Sequence, residues 1–296
     1  MIYWEVFKKT VKEYKVQEAM NYSSSIAFYL IFSLPAILII TVSIASSAYG
    51  DEIVRQNLIQ EFQNLFGPES AQVIDRILSN SGSIGSSWIT KIIGLVTLLV
   101  SATTVFASLQ DGLNRIWGLE PKPEKNLISF IKNRLLSLAM AISMGFLLLF
   151  SLILDTFLTI FEELLISSFS ESIFNLVIFV NVVLGFIIIM IVFAGIFRIL
   201  PDAKIAWKDV LSGAILTTFI FSIGKYAIGY YLGTSDLMNV YGAAGSFVLL
   251  LIWVYFSSMI LFFGATYTEV YFIEKHGQVK PYKRTRLVDG VDSQNT

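Results

Sequence analysis

The chain has 296 residues, of which 55% are hydrophobic and only 15% charged. A soluble domain of this size carries about 25% charge, and the mean hydropathy of +0.70 points instead to a chain built for lipid. The net charge of −1 gives no case for nucleic acid, and with no cysteine and one histidine, His276 in a polar stretch, a cysteine- or histidine-based metal site or a histidine triad cannot be assembled within one chain; no cofactor or metal is expected.

Residues 1–20 open the chain as an amphipathic segment, with Trp4, Phe7, Val11 and Tyr14 along one side. It reads as an interfacial helix on the cytoplasmic face. Its lysines serve first as topology determinants and lie within reach of anionic lipid headgroups. A bilayer core about 30 Å thick takes about 20 apolar residues in a helix. Six segments qualify: 26–48, 88–108, 134–157, 173–197, 210–232 and 243–267. They are too long for strands and lack two-residue alternation, so they are read as helices. The first exceeds the length of a signal-peptide core and has about 25 residues ahead of it, which favours retention over cleavage. Pro35 is expected to kink it.

The loop 49–87 is the one long external connection. Ile53, Val54, Leu58, Phe62, Leu65 and Phe66 recur at helical spacing, as do Val73, Ile74, Ile77 and Leu78 beyond Gly67 and Pro68. Two amphipathic helices are expected there, as a cap on the bundle or a gate. The Ser/Gly-rich residues 79–87 form a connector. Residues 1–282 are read as one membrane domain and 283–296 as a polar, disordered cytoplasmic tail. The expected fold is therefore an all-α integral membrane protein, a bundle of six transmembrane helices with amphipathic interfacial helices.

Lysine and arginine set the orientation, because they gather on the cytoplasmic side of span ends. Of the 21 in the chain, seventeen fall in the N-terminal segment, the loops after spans two and four, and the tail. Only Arg55 and Arg76 fall in the alternate loops, and Lys91 and Lys225 lie within spans. Both termini are thus expected inside, in the bacterial inner membrane, with an even number of spans.

Charges at bilayer depth are costly and generally face the bundle interior. Lys225 stands out. It lies 15 residues beyond Val210, about 22 Å along a helix, with Asp155 near the outer end of span three as a candidate partner. A substrate path or gate built from Lys225, Asp155, Tyr241, Ser24 and Ser33 is the functional reading; snorkelling or a structural ion pair is the plain one. At the inner ends, Gln110, Asn114, Arg115, Arg198, Asp202 and Glu269 are candidates for a charge network, or for ordinary interfacial pairs. Gly224, Gly229 and Gly233 in span five, and Gly242 and Gly245 at the start of span six, suit close helix packing or a broken helix start.

Several blocks carry a resemblance. Ser25-Ile-Ala-Phe-Tyr-Leu-Ile-Phe-Ser-Leu-Pro35, Leu109-Gln-Asp-Gly-Leu-Asn-Arg-Ile-Trp117 and Leu200-Pro-Asp-Ala-Lys-Ile-Ala-Trp-Lys-Asp-Val210 resemble signatures of the YihY/BrkB family of bacterial inner-membrane proteins. Gly224-Lys225, Tyr231-Leu-Gly233, Tyr241-Gly-Ala-Ala-Gly-Ser246, Trp253-Val-Tyr255 and Phe263-Gly-Ala265 continue it. The resemblance runs from about residue 10 to 275. It departs at Thr266-Tyr267-Thr268, where the family more often shows Glu-Phe-Thr, although Glu269 follows closely. It implies six spans but no settled activity. Members have carried labels as a tRNA-processing ribonuclease and a serum-resistance virulence factor, or have been suggested to move lipids or solutes.

The acids of the cytoplasmic loops (Asp111, Glu120, Glu124, Asp202, Asp209) are scattered without a metal-ligand spacing, which speaks against the nuclease label. The expectation is a non-enzymatic transporter or exporter of a lipid, lipid-linked molecule or small organic solute. No phosphate-binding loop is visible, so gradients or a partner would drive it. Membrane lipids are the expected partners, and the Gly229/Gly233 face could support a homo-oligomer. The alternative is a non-transporting scaffold or regulator of envelope assembly.

Overall fold

The computed structural model describes residues 2–16, 18–30, 51–66, 75, 78–79, 88–121, 171–234, 245–282 and 285–287. These are helical almost throughout: α1 (Ile2–Glu13), α2 (Asp51–Phe66), α3 (Trp88–Ile116), α4 (Glu171–Ile199), α5 (Trp207–Thr234) and α6 (Gly245–His276). Residues 18–30 are also helical. Strands β1 (Leu119–Pro121) and β2 (Thr285–Leu287) form a short antiparallel ribbon. Among the described residues the fold is all-α with that one addition. The spans expected at 88–108, 173–197, 210–232 and 243–267 fall in α3 to α6, whereas 134–157 and most of 26–48 lie outside the described residues. Among the described residues, the stretches Trp207–Ile228 and Leu250–His276 are long and apolar enough to cross a membrane.

α5 shows what kind of solvent it faces. Leu211, Ile215, Phe219 and Ile223 are exposed, while Gly213, Ala214, Thr217 and Thr218 are turned inward. Large apolar groups outside and small hydroxylated ones inside is the reverse of a water-soluble helix. In lipid that arrangement costs nothing outside and lets backbones approach inside.

The chain divides into two compact units. One comprises Met1–Tyr14, Gln110–Ile220 and Leu261–Thr296, the other Lys15–Leu109 and Phe221–Ile260. In the first unit α5 and α6 interlock. A Cβ at Gly213 would overlap Oγ1 of Thr268 and lie 2.9 Å from its Cβ, and one at Gly264 would lie 2.8 Å from the Cβ of Thr217. Each helix thus offers a glycine and, four residues on, a threonine that fills the other helix's glycine notch. The pairings 213 with 268 and 217 with 264 make the contact antiparallel. Both hydroxyls donate to their own helix, Thr217 to the Gly213 carbonyl at 2.6 Å and Thr268 to the Gly264 carbonyl at 2.8 Å, so no buried donor is stranded.

Also in this unit, α1 lies against the end of α6. Val6 packs with Tyr267 and Val270, Tyr3 stacks on Tyr271, and Tyr14 meets Phe263 edge-on. The predicted apolar side of α1 is therefore split. Phe7 and Tyr14 turn toward α6 with Val6, and Trp4 and Val11 stand exposed. The hydrogen bond to Glu274 (2.7 Å) holds the Lys9 ammonium above its ordinary value, against a smaller opposing effect of desolvation. A raised lysine value means this contact is complete below the ordinary lysine range and is lost only as pH rises through the raised value.

In the second unit, a Cβ at Gly224 would come within 2.7 Å of Ile260 Cδ1, and Phe221 meets Trp253 edge-on. In the 49–87 region the expected first helix is present as α2, with Val54 buried and Ile53 exposed. Arg55 binds Asp75 through Nε at 3.0 Å and also reaches Ser79. Asp75 and Ser79 are themselves helical residues one turn apart. Arg55→Ala is expected to release this tie and speed proteolysis of the segment in intact protein, with no change in overall helix content by circular dichroism.

Candidate functional site

A polar cluster joins the end of α3 to the turn after α4. Asn114 Nδ2 donates to Asp202 Oδ2 at 2.9 Å, and Asn114 Oδ1 accepts from the Asp202 backbone N–H at 2.8 Å. Gln110 Nε2 adds a longer bond to the same carboxylate at 3.3 Å. Asp202 also takes the Tyr282 N–H on its carbonyl (2.9 Å), and the Lys204 N–H donates to the Lys280 carbonyl (3.0 Å). The turn at 200–206 is thereby tied both to α3 and to the segment following α6. That segment leaves the helix at Gly277, whose φ of 81° is the left-handed conformation that ends helices and that glycine adopts without strain. It runs on through Pro281, bridged to Ala203, into β2. The polar tail read as beginning at 283 thus holds structured residues at 285–287. Backbone pairing with β1, rather than side-chain pattern, orders them.

The other candidates for the inner network take different partners. Arg198 donates to the Ile205 carbonyl at 3.3 Å, and its guanidinium lies 4.4 Å over the Trp207 ring. Arg115 reaches Glu120 at 3.8 Å, which Arg286 also reaches at 3.4 Å across the β ribbon. Glu269 contributes negative potential at Lys9.

Sequence reasoning missed a second cluster. Asp209, in the first turn of α5, is buried and receives Lys275 Nζ at 2.8 Å and His276 Nε2 at 3.1 Å. His276 ends α6, its ring against Phe272, which in turn meets Trp117 edge-on. An acid at a helix N-terminus opposite bases at a helix C-terminus satisfies both dipoles. That complementarity was the available signal. The double variant Lys275→Met, His276→Phe strands a buried carboxylate, whereas Asp209→Asn keeps an acceptor without the charge. The double variant is therefore expected to lower the thermal unfolding midpoint further than Asp209→Asn does.

The proposed path residues are less concentrated. Lys225 is exposed on α5, in company with exposed Tyr226, Tyr230 and Tyr231, the orientation that the snorkelling alternative expects. An ammonium on a long stem can leave the packed face of an apolar helix for a polar boundary, and tyrosines favour the same boundary. Ser24 is exposed and donates to its own helix at Met20 (2.7 Å). Gly229 and Gly233 are helical residues of α5, and Gly245 begins α6. Asp155, Ser33, Tyr241 and Gly242 lie outside the described residues.

The profile of the family described as "Virulence factor BrkB" matches residues 10–286. The chain belongs to the BrkB family. Among BrkB-family relatives, a UPF0761 membrane protein of Actinobacillus pleuropneumoniae serotype 5b (strain L20) is 23% identical over 82% of this chain and 86% of its own length. A UPF0761 membrane protein of Histophilus somni (strain 129Pt) is 22% identical over 91% and 90%. The ribonuclease-like protein YfkH of Bacillus subtilis (strain 168) is 24% identical over 87% and 91%. No solved structure matches the chain. The BrkB-family assignment, the relatives' names and the lipid-suited faces of α5 agree that this is a membrane protein.

Proposed function

We propose that this BrkB-family protein is a multi-pass transporter or exporter of the bacterial inner membrane, with six spans and both termini cytoplasmic. Its cargo is an amphiphile bearing a negative charge: a lipid, a lipid-linked molecule or a small organic solute. It acts without an ATPase of its own and is not an enzyme. The observation that carries the reading is Lys225, an exposed cation after a run without charge from Val210 to Gly224, where aliphatic side chains give way to three tyrosines. A positive charge there gives an anionic headgroup a partner while its apolar part stays beside the exposed Ile223.

The matching experiment is native mass spectrometry of detergent-purified protein. Wild type is expected to carry an anionic amphiphile that Lys225→Ala loses and Lys225→Arg keeps. Equal retention by all three would remove Lys225 from the reading. The alternative, a non-transporting scaffold, draws on the Gly213/Thr268 and Gly264/Thr217 interlock, which suits α5 and α6 to a fixed packing. The ribonuclease-like name of one relative is not carried over, because the loop acids of this chain lie scattered among bases.

A further inference from the structure

We infer that the outward face of α1 is a binding surface for anionic membrane lipid, independent of any transport. α1 turns two faces in opposite directions. Val6 and Thr10 are buried, Val6 against Tyr267 and Val270 of α6. At 100° per residue, Trp4, Lys8, Val11 and Lys12 fall on one stripe on the other side of the helix. All four are exposed, Trp4 to 63% and Val11 to 57%. Lys8 Nζ lies 5.4 Å from the centroid of the Trp4 ring.

Trp4 stacks on Phe7 at 6.0 Å, yet its indole, like Val11, stays largely exposed beside two ammonium groups. An anionic lipid surface uses both. Trp4 and Val11 enter the headgroup region, and Lys8 and Lys12 meet phosphates. Lys9 is engaged by Glu274, and Glu5 is exposed beside Lys12, so the face sets two lysines against one glutamate and stays net positive. Docking places the stripe at the right depth as well. The α1 contacts lie at Tyr267, Val270, Tyr271 and Glu274, the last turns of a helix long and apolar enough to cross a membrane, where the bilayer surface must be.

The test uses the full chain reconstituted in vesicles of phosphatidylcholine and phosphatidylglycerol at one fixed ratio, with brominated acyl chains on one lipid or the other. Subtracting the fluorescence of Trp4→Phe isolates Trp4 from the other tryptophans. Bromines on phosphatidylglycerol are expected to quench Trp4 about twofold more than bromines on phosphatidylcholine, because surface lysines enrich anionic lipid around them. Lys8→Gln, Lys12→Gln is expected to equalise the two, and high salt to do the same in wild type. These lysines are exposed, so the variant retains the fold. Equal quenching by both labels in wild type would overturn the inference. So would no quenching by either, as when water or an acidic protein partner covers Trp4.

Discussion

Gly264→Ala is expected to destabilise the protein by about 1–3 kcal/mol, the cost of forcing a methyl group into a closed core. The added Cβ meets Thr217 at its Cβ (2.8 Å) and Cγ2 (2.9 Å). Those atoms sit at the base of a β-branched side chain held by a hydrogen bond to Gly213, so no rotamer change relieves the clash. Gly213→Ala is expected to behave alike, against Thr268 and the Gly264 carbonyl. Pairing Gly264→Ala with Thr217→Gly moves the notch to the other helix and should recover part of the loss, a coupling visible in a double-mutant cycle. Gly195→Ala is the control. Nothing lies within 4 Å of a Cβ there, and alanine is expected to stabilise α4 by about 0.5–1 kcal/mol. Reversible unfolding in mixed micelles measures all four. A Gly264→Ala variant as stable as wild type would mean that α5 and α6 do not meet as described.

Asn114→Ala is expected to cost about 1–3 kcal/mol through unsatisfied buried partners. The Asn114 amide is used at both ends, and the partners fix its orientation: only a donor can meet the Asp202 carboxylate and only an acceptor the Asp202 N–H. The nearly isosteric Asn114→Asp keeps the acceptor but sets one carboxylate against another, so it is expected to cost at least as much. Gln110→Ala, which removes only the 3.3 Å bond, should cost clearly less. Because Asp202 also receives the Tyr282 N–H, hydrogen exchange in Asn114→Ala should speed up at Tyr282 and through 277–287 before it does in α6. Unchanged exchange there would separate the α3 contact from the C-terminal segment.

Much of the helical layout was legible because apolar length is a one-dimensional property. α3 to α6 lie where runs of about 20 apolar residues place them. What the side chains do between helices was less so. Gly224 is readable as a packing glycine, and Ile260 Cδ1 lies 2.7 Å from where its Cβ would be, whereas the surroundings of Gly229 and Gly233 lie outside the described residues; the notches at Gly213 and Gly264 each have threonine rather than glycine four residues on. Glycine-x-x-x-threonine is readable in both helices, but that one fits the other antiparallel is a fact about pairs of segments 50 residues apart. Whether Lys225 faces the bundle or snorkels outward is open in the sequence, since composition does not tell which way a residue on a largely apolar helix faces. Asp209 and His276 looked like isolated polar residues because their partnership spans the whole of α5 and α6. The β ribbon had no pattern to announce it, since three residues per strand are too few for alternation to show.

Movement of an anionic amphiphile by this BrkB-family membrane protein is measurable as flux across sealed proteoliposomes. Fluorescent phosphatidylglycerol, phosphatidylcholine and a small organic anion are followed one at a time, with protein-free vesicles and Lys225→Ala as comparisons. The account predicts transfer of an anionic probe above the protein-free rate, at least about tenfold slower in Lys225→Ala and restored in Lys225→Arg, in line with the loss of a charged contact worth about 1.5–3 kcal/mol. Transfer by no probe above the protein-free rate, from protein that unfolds cooperatively and is correctly inserted, would contradict it and leave the scaffold reading in its place.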